Sequence, residues 1–122
     1  MVDDDIDDQE IFSIALNEIE HKVDCVFAND GMEAIQKLET DPMFEPDYIF
    51  LDLNMPRMNG KQCLSEIKKI KRLSNIPVII YSTSSENKSI TEVKKIGATA
   101  YITKPSSIPE LAQKLTEFFT QY

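Results

Sequence analysis

Apolar positions follow two rhythms along this chain. Ile11, Phe12, Ala15, Leu16 and Ile19 recur every three or four residues, which predicts a helix over residues 7–20 with acids in its first turn, where the helix dipole favours them. Ala34, Ile35 and Leu38 mark a second helix, entered through the turn Asn29-Asp30-Gly31, and Cys63, Leu64, Ile67 and Ile70 mark a third over residues 61–72. Ile90, Val93 and Ile96 line a fourth that Gly97 stops, and Ile108, Leu111, Leu115, Phe118 and Phe119 form the stripe of a last one. Between them stand short apolar runs closed by turn residues, too brief for helices: 23–28, 48–51, 76–81 and 100–102. Pro77 lies near the start of its run, where a strand accepts proline most readily. Residues 40–46 and 82–87 read as loops. Strands alternating with helices predict an α/β chain with a parallel sheet covered on both faces and right-handed crossovers. Met1-Val2 is only a stub of a first strand, since a parallel strand usually spans about 5 residues; the expectation is that residues belonging to that strand are missing before Met1.

Length and composition narrow this to one domain over residues 1–122, with 42% hydrophobic content sufficient for a core. The 21 acidic against 13 basic residues leave a net charge of -8, which disfavours nucleic acid as a partner and favours a protein surface or a cation. Lys68, Lys69, Lys71 and Arg72 close the third predicted helix and read as a solvated face complementing its dipole. Cys25 and Cys63 lack the spacing of a metal knuckle or redox pair and read as buried, reduced thiols. His21, at a helix end, reads as a surface or capping residue. No apolar run approaches the ~20 residues that span a bilayer, and no leader is evident, so a cytoplasmic protein without a membrane partner is expected.

The chemistry gathers where the predicted strands end. In an open parallel sheet the carboxyl ends of neighbouring strands converge on one edge, and here those ends carry Asp3-Asp4, Asp52, Ser82-Thr83 and Lys104. Asp52 is followed by a constrained loop: Pro56 cannot continue a ladder, and Asn59-Gly60 supplies residues that tolerate positive φ. Carboxylates forced together repel, and a hard divalent cation with oxygen ligands relieves that repulsion; Mg²⁺ suits such a set, because it keeps waters and completes its octahedron with phosphate oxygens. A hydroxyl and an ammonium facing the same point suit a phosphoryl group. Each residue taken alone also has a plainer reading: the run from Asp3 to Asp8 as a solvated acidic approach to a helix, Asp52 as a cap, Ser82 to Ser85 as a polar turn, and Tyr101 as a half-buried strand aromatic.

Taken together, the acidic pair, the run Asp52-Leu53-Asn54-Met55-Pro56-Arg57-Met58-Asn59-Gly60, the hydroxyls after the fourth strand and Lys104-Pro105 resemble a response-regulator receiver domain of two-component signalling. The likeness extends from Asp3 to the last helix and is nearest to stand-alone receivers that work with phytochrome-type kinases. It implies a doubly wound, flavodoxin-like (βα)5 fold with a five-stranded sheet in the order 2-1-3-4-5. Asp52 would be the phosphoacceptor, with Mg²⁺ held by Asp4 and Asp52 directly, by Asp3 through water, and by the backbone carbonyl of Asn54. Ser82 would be the switch hydroxyl and Lys104 the phosphate partner, with a cis bond to Pro105, and Tyr101 would be the aromatic switch behind Ser82. Ser106 departs from the pattern, since many relatives carry Phe there.

The implied partners are a sensor histidine kinase or phosphotransfer protein and a downstream protein target, with a homodimer through the fourth helix, fifth strand and fifth helix as a further option. With no output domain before Tyr122, the expected output is another protein. The chain would not be an enzyme beyond self-catalysed phosphotransfer to Asp52 and its own dephosphorylation. Two other classes remain: a pseudo-receiver that binds partners without phosphorylation, and an aspartate-nucleophile phosphatase. The latter needs a second acid two residues after the nucleophile, where this chain has Asn54. A flavin protein of similar fold is disfavoured by the acidic first strand-to-helix turn, where a flavin phosphate needs donors.

Overall fold

A computed structural model of the chain describes residues 1–84 and 86–121; Ser85, within the predicted loop 82–87, and Tyr122 lie outside the described residues. The elements run α1 Ile6–Glu18, α2 Gly31–Thr40, β1 Ile49–Leu51, α3 Gly60–Lys69, β2 Val78–Ser82, α4 Asn87–Ile96, β3 Ala100–Thr103 and α5 Ile108–Gln121, with a 3-10 turn at Lys71–Leu73. β1, β2 and β3 pair in parallel in that order. The sheet continues past β1 through single bridges, because Val2 lies between Leu51 and Ala28 and parallels both. Val2 donates to the Phe50 carbonyl at 2.8 Å and accepts from Asp52 at 3.0 Å, while Asp3 donates to Ala28 at 3.1 Å and Ala28 donates to Met1 at 3.0 Å. The side-by-side order is therefore the doubly wound 2-1-3-4-5, with its first two members reduced to a few residues.

The expected strand over residues 23–28 does not form as such. A strand exists only where a neighbour supplies donors and acceptors, and among the described residues the rungs are those of Met1 with Val26 and of Met1 and Asp3 with Ala28, at 2.8 to 3.1 Å. Residues 23–25 lie beyond that last rung and carry no strand assignment, and Val23 and Val26 are exposed.

The strands of the sheet sort their side chains by alternation. Ile49, Leu51, Val78 and Ile80 face α2, α3 and α4 in an aliphatic core, while Phe50, Ile79 and Tyr81 face α1 and α5. The second core is aromatic: the Phe12 ring lies 5.1 Å from Phe50 and 5.5 Å from Tyr81, and Phe118 stands edge-on to Phe50 at 5.8 Å. α4 ends, as expected, at Gly97, whose φ of 131° a side chain would resist.

Three local expectations change. The predicted third helix stops at Lys69, and the 3-10 turn that follows buries Leu73. That turn also takes Arg72 out of the solvated face: its guanidinium donates to the Phe44 carbonyl at 2.8 Å and to the Leu38 carbonyl, closing the carboxyl end of α2, while Lys69 and Lys71 stay exposed. The Lys104–Pro105 bond is trans, as are all peptide bonds among the described residues; trans is the lower-energy form of an X–Pro bond. Cys63 is buried and Cys25 partly so, both free, and burial pushes the Cys63 thiol up to about 12. No helix among the described residues is long and apolar enough to cross a membrane.

Candidate phosphoacceptor and metal site

Four chain segments deliver the site at one edge of the sheet. Asp3 follows the rung at Val2, Asp52 follows β1, Ser82 closes β2 and Lys104 follows β3, whose last pair is Ser82 with Thr103. The ladder itself holds all four, since Asp3 donates its amide to the Ala28 carbonyl at 3.1 Å, Asp52 to the Val2 carbonyl at 3.0 Å and Lys104 to the Ser82 carbonyl at 2.8 Å. Asp3, Asp52 and Ser82 are buried.

The loop after Asp52 is held at three points. Gly60 opens α3 so close to the Asp52 and Leu53 backbone that a Cβ there would collide with both, and its amide donates to the Leu53 carbonyl at 2.8 Å. Asn59 caps α3 through a reciprocal pair with Gln62 at 2.9 and 3.0 Å. The positive φ expected at Asn59-Gly60 falls instead on Arg57, at 63°. Asn59 takes an extended cap conformation and Gly60 is helical, so glycine serves close approach here. Arg57 reaches from this turn to pair with Asp30, the buried N-cap of α2, and so ties the loop to a second helix.

The carboxylates meet on Lys104. Its Nζ lies 2.8 Å from Asp3 Oδ2, 2.7 Å from Asp8 Oδ2 and 3.6 Å from Asp52 Oδ2, so it bonds the first two and only faces the third. It also stands 5.3 Å from the centre of the Tyr81 ring. Asp3, Asp4 and Asp52 each offer an oxygen within 4.8 Å of the others. Burial raises the Asp52 carboxyl to about 6, with Asp3 adding to the rise and Lys104 and the amides of Leu53 and Asn54 opposing it. Burial likewise raises Asp3 against the pull of Lys104. Burial alone would lower the lysine, but its bonds to Asp3 and Asp8 outweigh that and hold it above its ordinary value. Two carboxyl groups raised beside a lysine already committed to two acids describe a site short of positive charge. The donor set fits a hard divalent cation, being three carboxylates of which Asp4 is exposed and able to keep waters on its side.

Of the remaining expected residues, Asn54 is exposed and lines an open cleft with Asp4, Pro56, Lys61, Ser84 and Glu86. Ser82, rather than Thr83, is the buried hydroxyl, and it accepts weakly from the Ser84 amide at 3.4 Å. Tyr101 is half-buried and donates its hydroxyl to the Ser84 carbonyl, which links β3 to the loop after Ser82. Asp8 is the residue that sequence reasoning passed over as part of an acidic run. Asp5 caps α1 by accepting from the amides of Asp7 and Asp8 at 2.9 and 3.3 Å, and this aims one acid of the first turn at a lysine 96 residues away. The signal available was position: Asp8 lies one helical turn after Asp4, at the end of the strand stub.

Residues 1–116 match the response regulator receiver domain family, and the chain belongs to it. It is 30% identical over 122 residues to a protein-glutamate methylesterase/protein-glutamine glutaminase of Methanococcoides burtonii, aligning 95% of this chain with 33% of that one. It is also 30% identical over 97 residues to the response regulator Rcp1 of Synechocystis, aligning 76% of this chain with 65% of that protein. The chain thus spans one third of the first relative and just under two thirds of the second. The phosphorylated cyanobacterial phytochrome response regulator RcpA superposes with a TM-score of 0.85 at 32% identity, covering 96% of this chain and 86% of that one. The Mn²⁺-bound form of Rcp1 superposes with a TM-score of 0.82 at 25% identity, covering 96% and 87%.

Proposed function

We propose, with membership of the receiver family as the premise, that this chain accepts a phosphoryl group on Asp52 from the phosphohistidine of a sensor kinase or phosphotransfer protein, and thereby alters a protein-binding surface. The observation that carries the reading is the arrangement around Asp52: a buried carboxylate at a strand end, with two more carboxylates within 4.8 Å and an ammonium at 3.6 Å. In the transfer an Asp52 oxygen attacks phosphorus in line, the P–N bond to the donor imidazole breaks, and the imidazole leaves with a proton from solvent. The donor ring would approach over the open cleft bordered by Asp4, Asn54 and Lys61, since an Asp4 oxygen lies within 4.8 Å of one on Asp52.

Asp4 and Asp52 would hold Mg²⁺ directly, Asp3 would hold it through water, and the Asn54 carbonyl would complete the protein ligands. Bound there, the ion supplies charge neutralisation for phosphoryl oxygens. Lys104 neutralises a further oxygen and Ser82 donates its hydroxyl to another. With Asn54 standing where a phosphatase would keep a second acid, the same site holds its phosphoryl group rather than turning substrate over. Tyr101 reports the state, because its hydroxyl is bonded to the loop that follows Ser82. The face formed by α4, β3 and α5 carries the output to a downstream protein or a second copy.

The test is the intact mass after incubation with Mg²⁺ and acetyl phosphate. One phosphoryl group is expected on the native chain and none on Asp52→Asn; an unmodified native chain favours the pseudo-receiver reading instead.

A further inference from the structure

Among the described residues, Lys104 is the cation that meets Asp3, Asp8 and Asp52 at the acidic edge. For phosphotransfer its ammonium must reach an oxygen carried by Asp52, yet Nζ stops 3.6 Å short of Asp52 Oδ2, beyond a hydrogen bond. Two other acids hold it back, Asp3 at 2.8 Å and Asp8 at 2.7 Å. They are not equivalent. Asp3 is fully buried, and its other oxygen accepts the Asp5 amide at 2.9 Å, so releasing it would strand a charge away from water. Asp8 keeps 28% of its side chain exposed on the first turn of α1, so water can replace the lysine at little cost. Asp8 is therefore the tether that can let go.

We propose that Asp8 is a positioning residue that acts through Lys104: it holds the ammonium off Asp52 in the resting chain and releases it to the phosphoryl group, so that the strength of this one bond sets how readily the phosphorylated state is reached. The inference rests on Asp52 being the phosphoacceptor. In energetic terms the Asp8 bond stabilises the resting state and is lost when Lys104 turns to the new phosphate. Weakening it raises the population of the phosphorylated form and slows its decay. Asp7 provides the control: it sits in the same turn, is exposed and carries the same charge, and it makes no contact with Lys104.

The experiment compares the native chain with Asp8→Asn and Asp7→Asn in Mg²⁺ and acetyl phosphate, following the rate of labelling and the lifetime of the adduct by intact mass. Replacing a charge-assisted bond by a neutral one should increase the maximal labelling rate or the lifetime about fivefold in Asp8→Asn beyond any change in Asp7→Asn, since charge-assisted bonds are roughly twice as strong. A spectroscopic reading separates positioning from folding. The ¹⁵N resonance of the Lys104 ammonium should shift when Mg²⁺ and beryllofluoride are added to the native chain, and in Asp8→Asn without them it should already lie toward that shifted position. Asp8→Asn that labels and decays within twofold of Asp7→Asn, or that leaves the Lys104 resonance where the native chain has it, overturns the assignment. A native chain that takes no phosphoryl group overturns the reading on which it rests.

Discussion

The two ends of the sheet are built to different standards. At the carboxyl end, Asp3, Asp52 and Ser82 are buried and Lys104 nearly so; ladder bonds, a capped helix and an Arg57–Asp30 pair fix the surrounding loops, and no buried side-chain polar atom among the described residues lacks a partner. At the amino end, the described ladder reaches its last rung between Met1 and Val26, and an open cavity of about 510 Å³ lies between residues 21–28 and 44–50. Both ends use the same parallel backbone. What differs is how many independent constraints converge: at the carboxyl end they hold the segments that carry like charges together against their repulsion.

The comparison can be broken most sharply by truncation of one aliphatic side chain at each end. Leu51, fully buried beneath Asp52, should cost about 2–5 kcal/mol as Leu51→Ala in urea unfolding, the range for emptying a core site. An effect below about 1 kcal/mol would mean that the site end is not rigidly packed.

The next largest effect concerns the charge stored there. Burial lifts Asp52 from 3.8 to about 6, so between those values the folded chain binds more protons than the unfolded one and stability falls as pH rises. Above pH 6 the penalty is complete, and below 3.8 both states are protonated and it vanishes. Without divalent cation, Asp52→Asn should therefore be more stable than the native chain by about 3 kcal/mol at pH 8, with the gap closing toward pH 4. Urea midpoints at both pH values measure this, and a gap independent of pH would remove the stored charge from the argument.

The smallest effect belongs to the amino end. Val26, 52% exposed at the last rung, should change stability by less than about 0.5 kcal/mol as Val26→Ser. A loss comparable to that of Leu51→Ala would show that the two ends are equally constrained.

Much of this was legible in the residue order. Helix stripes such as Leu111, Leu115 and Phe118 became buried faces, and the strand-end residues Asp3, Asp52, Ser82 and Lys104 came to one edge, because periodicity and alternation are local properties. The run at 23–28 shows the limit. Its β-branched and apolar content favours a strand, but a strand is a relation between two segments, and among the described residues the rungs there join only Val26 and Ala28 to Met1 and Asp3. Arg72 shows another, since it closes α2 from the far side of α3, a partnership invisible until the helices pack.

By itself, then, the sequence determined the helices and the central strands, the sheet edge where the acids, the hydroxyl and the lysine gather, and the family pattern around Asp52. Only the tertiary structure decided how the five aspartates from Asp3 to Asp8 divide: Asp3 and Asp4 stand with Asp52 in one carboxylate cluster, Asp5 caps the helix, Asp7 stays exposed and Asp8 holds Lys104. The physical reason is distance along the chain. Local patterns set which way a side chain points, but the charge it meets comes from a strand almost a hundred residues later, and that meeting exists only once the sheet has closed.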